Sequence, residues 1–78
     1  MSNGAAELVG KAALDFYREA GVSVMPPERG HEWGVLSCVN WSASVRRIGL
    51  RSWEVRLGDR CFGFGSQWEL LAWVGDRL

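Results

Sequence analysis

The stretch IGLRSWEVRLGDRCFGF, residues 48 to 64, decides the fold. Gly58 and Asp59 separate two runs of alternating character, and a two-residue loop with glycine first suits a type II′ hairpin. Closing the loop there sets Leu57 opposite Arg60, Val55 opposite Phe62 and Trp53 opposite Phe64. The aromatic and β-branched residues then share one face, whereas a slip of one residue would divide them, so turn chemistry and hydrophobicity specify the same register. The other face receives Ile48, Leu50, Ser52, Glu54, Arg56, Cys61 and Gly63.

Beyond the hairpin, Ser66 and Glu69 form S-x-x-E, in which each side chain satisfies a backbone N–H at a helix start. Leu70, Leu71, Val74 and Leu78 then cluster within about 100° as the core stripe of a closing helix. Trp68 and Trp73 fall on opposite flanks of that stripe, and both cannot be central core residues. Arg77, four residues after Trp73, is placed to lie over its ring and leave part of the indole for an outside contact.

Before the hairpin, residues 33 to 45 alternate. Trp33, Val35, Val39, Trp41, Ala43 and Val45 take odd positions and Gly34, Asn40, Ser42 and Ser44 even ones, which predicts one strand, bent or interrupted near Asn40 to Ser44. Leu36 and Cys38 break the polar face of that strand. Residues 22 to 32, with Pro26, Pro27 and Gly30, read as a connection.

Residues 4 to 20 take helical period. Ala5, Val9, Ala13, Phe16 and Ala20 fall on one side, flanked by Ala12 and Tyr17, and Glu7, Lys11, Asp15 and Arg18 on the other, with Leu14 opposite the stripe and partly exposed. Ser2 or Asn3 can cap this helix, Glu7 and Lys11 form an i,i+4 pair, and Gly21 is placed to end it. The expectation is one α+β domain over residues 1–78, in the order α-β-β-β-α. Its three-stranded antiparallel sheet carries the N- and C-terminal helices on one face and leaves the second face open.

A chain of 78 residues buries only roughly 60% of its unfolded surface, so every large apolar side chain counts. Five tryptophans offset the thin core, each ring burying on the order of 150–250 Å². Two cysteines, Cys38 and Cys61, suit free thiols in a reducing cytoplasm, and with His31 they lack the paired spacing of a zinc site. MSNGAAELVG has no basic n-region, and no apolar run approaches membrane-spanning length, so no membrane role is expected.

Candidate chemistry is sparse. His31 lies seven residues before Cys38 with no nucleophile motif around either. Gly63 and Gly65 precede a helix, but the chain has neither G-x-x-x-x-G-K-S/T nor a G-x-G-x-x-G after a strand. Neither an enzyme nor a cofactor is expected.

Two binding readings follow instead. Leu36, Ile48 and Leu50 on the second face, with Cys38, Cys61, Arg56 and the flanking Trp73, make the mixture of apolar, arginine and tryptophan side chains enriched at protein interfaces. A protein partner, or a homodimer, would use them. In size and architecture the chain is comparable with small phage and mobile-element products, including the anti-CRISPR inhibitors, which act by occupying a larger complex.

The alternative is a small DNA-binding protein. Net charge is zero, yet residues 41 to 60 carry Arg46, Arg47, Arg51, Arg56 and Arg60 against Glu54 and Asp59, and a three-stranded sheet can place such arginines in a major groove. The run SWEVRLGDRCFGFGSQWELLAWV, residues 52 to 74, resembles the sheet-plus-helix arm-binding domains of tyrosine recombinases, where a tryptophan-bearing strand, a turn and a phenylalanine strand lead into a helix ending in Trp. That resemblance implies DNA contact through the sheet.

Overall fold

In the computed structural model, which describes residues 4–78, Gly10 divides the expected N-terminal helix. Its φ of 97° lies where L side chains rarely go, so the segment becomes α1 (Gly4–Val9) and α2 (Lys11–Glu19). A Cβ at this position would also overlap the Gln67 carboxamide. The proposed caps Ser2 and Asn3 lie outside the described residues.

The break shifts the phase of the apolar stripe. Leu14 is buried with Ala13 and Tyr17, while Phe16 is 53% exposed, the reverse of the expectation for both Leu14 and Phe16. One projection at about 100° per residue fails because it runs through a residue that is not helical. The end of α2 agrees with the sequence: the Gly21 N–H donates to the Arg18 carbonyl and the Val22 N–H to the Tyr17 carbonyl, a Schellman closure.

The sheet has five antiparallel strands in the order β1-β2-β3-β4-β5, which corrects the expected three. They are β1 (Ser23–Met25), β2 (Gly34–Ser37), β3 (Ser42–Gly49), β4 (Ser52–Leu57) and β5 (Arg60–Phe64). β1 comes from the segment read as a connection; Pro26 and Pro27 end it at the sheet edge, a position where proline is tolerated.

The predicted single strand over 33 to 45 is two strands joined by a tight turn in which the Cys38 N–H donates to the Trp41 carbonyl. This hairpin pairs Leu36 with Ala43 and Gly34 with Val45. Paired residues share a face, so the inward positions pass from even numbers in β2 to odd numbers in β3. Leu36, expected on the open face, is therefore in the core at 0% exposure.

The β4–β5 hairpin has the register read from the sequence, with Leu57 opposite Arg60, Val55 opposite Phe62 and Trp53 opposite Phe64. Gly58 has φ 63° and Asp59 keeps a negative φ, the sign pattern of a type II′ turn. Helix α3 (Gln67–Gly75) starts at Ser66: the Glu69 N–H donates to Ser66 Oγ, and the Gly65 N–H donates to the Glu69 carboxylate.

All three helices pack on one face of the sheet. Leu8, Val9, Ala13, Leu14 and Tyr17 from the first two meet Leu36, Ala43, Val45, Trp53 and Val55 from the strands and Leu70 and Val74 from α3. Trp53 ties the layers together, its indole N–H donating to the Leu8 carbonyl at 2.7 Å. Phe62 and Phe64 are half-buried at the margin of this core. Among the described residues no helix is long and apolar enough to cross a membrane.

Candidate functional site

The second face of the sheet is assembled by register. Met25 pairs with Val35, Val35 with Ser44, Ser44 with Arg56 and Arg56 with Cys61, so these five form one row across all strands. Arg46 and Glu54 pair in the adjacent row. Every sheet residue in the buried core belongs to the opposite, helix-bearing face.

Trp33 lies at the centre of the charged part of this face. The Arg46 guanidinium carbon is 4.7 Å and that of Arg56 4.8 Å from the Trp33 ring centroid. Arg46 also bonds both nearby carboxylates, with Nη1 at 3.0 Å from Glu32 and Nη2 at 2.8 Å from Glu54. The Glu54 contact is forked, because Arg46 Nε donates to the same oxygen at 2.9 Å. Arg56 differs: among the described residues it has no carboxylate and no hydrogen-bond acceptor, only the indole. Arg46 thus consumes the local negative charge and Arg56 presents an unneutralised cation beside an aromatic ring.

The other candidate residues do not gather here. Arg47 lies on the helix side, over the Trp53 ring at 4.7 Å, and donates to the carbonyls of Gly49, Glu7 and Leu50. It laces α1 to the β3–β4 connection. Arg51 is exposed in that connection and Arg60 at the far end of β4, beyond Gly58 and Asp59. Ile48 at 59% and Leu50 at 86% are exposed near the end of β3, and Leu36 is internal.

Trp73 belongs to an aromatic cluster on the helix-bearing side. Its ring centroid lies 5.3 Å from Phe62, 6.0 Å from Phe64 and 6.1 Å from Trp41. Arg77 covers the ring at 3.9 Å, as its i+4 spacing predicts, and its carbonyl accepts the Trp41 indole N–H at 3.1 Å. Trp73 Nε1 is buried without an acceptor among the described residues. Trp73 and Arg56 therefore occupy different faces of the molecule. Trp68, 48% exposed, meets Phe16 edge-on at 5.9 Å on the outside of the helix layer.

Sequence reasoning missed Trp33 as the centre of the open face because it assigned that residue to the apolar side of one long strand. The available signal was the short turn at 38–41, which reverses the numbering parity and sends Trp33 toward Arg46. No hydrogen bond joins His31 to Cys38 among the described residues, and no group of three or more His, Cys, Asp or Glu is arranged to hold a metal there. Both cysteines are free thiols, Cys61 exposed and Cys38 half-buried. A groove of about 600 Å³ runs between α1 and the Pro26–Pro27 segment and has Glu7, Glu32 and Arg47 in its wall.

Compared with protein-family models, curated proteins and solved structures, the chain matches none.

Proposed function

We propose that this protein is a non-enzymatic interaction module whose open sheet face binds a protein partner through an acidic side chain. The observation that carries the reading is the asymmetry between two neighbouring arginines: Arg46 holds both Glu32 and Glu54, and Arg56 rests on Trp33 with no anion of its own among the described residues. A partner's Asp or Glu would complete Arg56 with a charge-assisted bond, and its apolar neighbours would cover Trp33, Val35 and Met25. Arginine and tryptophan together at the middle of a surface are the composition of an interface hot spot.

Binding by occupation is also how a small inhibitor of a larger complex works, the role expected from size and architecture. A reducing cytoplasm, in which Cys38 and Cys61 stay thiols, is the proposed setting. A nucleic-acid surface has less support, because Arg47 and Arg46 are engaged by acceptors within the chain and Arg56 and Arg60, one register step apart, lie on opposite faces of the sheet. Arginines divided between two faces suit a run of successive phosphates less well than a shared stripe would.

The test is capture of partners by the purified chain, comparing wild type with Arg56→Ala and Trp33→Ala, with Arg60→Ala as control. The reading requires one partner that both open-face variants lose and the control keeps. Binding of duplex DNA that weakens steeply with salt and depends on Arg51 and Arg60 would replace it with the nucleic-acid reading.

A further inference from the structure

The two edges of the sheet differ. β1 is three residues long and stops at Pro26 and Pro27, which blunt it against further pairing. β5 is five residues long, has β4 as its one neighbouring strand among the described residues, and carries a single charge, at its first residue Arg60.

The backbone groups on the open side of β5 follow from the register. In a two-residue hairpin the closing pair, Leu57 and Arg60, exchanges hydrogen bonds, and bonded pairs then alternate along the ladder. Phe62 and Phe64 bond inward to β4, whereas the N–H and C=O groups of Cys61 and Gly63 point away from the sheet. Among the described residues no turn, loop or cap hydrogen bond engages those two residues. Both are exposed, and a Cβ built on Gly63 meets nothing within 4 Å.

We infer that β5 pairs with β5 of a second copy of this chain, antiparallel about a two-fold axis at Phe62, to give a continuous ten-stranded sheet. The self-complementarity of the strand commits the edge to this occupant. With Phe62 facing Phe62 of the second copy, Cys61 falls opposite its Gly63, and the outward groups of the two residues meet as hydrogen-bonded pairs on both sides of the axis. A small side chain then faces a glycine at each of these pairs. On the helix-bearing face, Arg60 falls opposite Phe64 of the second copy, a cation facing an aromatic ring. The pairing leaves the Trp33–Arg56 face free, so it is independent of partner binding there.

The test is molar mass by sedimentation equilibrium across a concentration series, for wild type and Gly63→Pro. Proline at 63 removes one outward N–H and leaves the β4–β5 ladder intact, since Gly63 does not bond to β4 and the space around it is open. The expected result is a wild-type mass that rises to twice the monomer value and a Gly63→Pro mass that stays at the monomer value. A wild type that is monomeric up to its solubility limit overturns the inference, as does a Gly63→Pro variant that dimerises like wild type. Residue-resolved amide exchange of the unmodified chain provides a readout that does not depend on the variant folding. Protection at Cys61 and Gly63 should increase on concentration, and unchanged exchange at both amides also overturns the inference.

Discussion

The guanidinium carbon of Arg56 lies 4.8 Å from the centroid of the Trp33 ring, and this contact joins residues 23 positions apart across three strands. It depends on β2 and β3 being separate strands, because only the turn at 38–41 brings Trp33 back across the sheet toward β4. An exposed cation–π contact is worth about 0.5–1 kcal/mol, so Arg56→Ala should lower the unfolding free energy by no more than about 1 kcal/mol. Urea denaturation checks this, and a loss well above that range would make Arg56 a folding residue first.

Arg47 should behave in the opposite way. Its guanidinium donates to three carbonyls from two separate segments and covers Trp53. Arg47→Ala should cost about 1–2 kcal/mol of stability, reduced from the sum of such bonds because the site is exposed to water. Arg51→Ala, four positions away and without a bonded partner among the described residues, should stay within about 0.5 kcal/mol. Parallel denaturation curves of the two variants measure the contrast.

Gly10 should tolerate no side chain. Gly10→Ala must adopt a positive φ and displace the Gln67 carboxamide, at a cost of about 2 kcal/mol or more. Gly63→Ala, with open space around it and an ordinary strand conformation, should cost less than about 1 kcal/mol by the same measurement. A Gly10→Ala variant as stable as wild type would show that the α1–α2 break is not required.

Tyr17 makes alkaline stability a readout of burial. Desolvation raises its pKa above the ordinary phenol value, and its hydroxyl is buried with no hydrogen-bond partner among the described residues. The folded state then holds the phenolic proton more tightly than the unfolded state. The contribution is fully present below the unfolded value, near 10, and is lost above it at about 1.4 kcal/mol per pH unit until the folded pKa is reached. Tyr17→Phe should flatten that decline between wild type and variant and should match or exceed wild-type stability at neutral pH, since it removes an unpaired polar group. Denaturation midpoints between pH 7 and about pH 11 give both comparisons.

Local signals were legible wherever they closed within a few residues. The β4–β5 register followed from one Gly-Asp turn and the facing apolar pairs, and the α3 start followed from Ser66 and Glu69. The N-terminal helix was legible as helix but not as two pieces, because a glycine inside an apolar period can be helical or left-handed, and Gln67, which fills the space beside it, is 57 residues away. β1 was hidden by its length: three residues carry no period. The strand over 33 to 45 failed for a subtler reason. A tight turn that changes numbering parity preserves the appearance of alternation and moves Leu36 into the core and Trp33 out of it. The open face was therefore expected with Leu36 on it and without Trp33, and Arg56 lies in the row of that face that crosses all five strands.

Titration calorimetry of the captured partner against wild type, Arg56→Ala, Trp33→Ala and Arg60→Ala measures what the open face contributes to binding. Hot-spot residues cost about 2 kcal/mol or more on truncation, so both open-face variants should bind about 30-fold more weakly or worse, while Arg60→Ala binds as wild type does. Equal affinity for wild type and Arg56→Ala, with all four chains folded, would contradict the account.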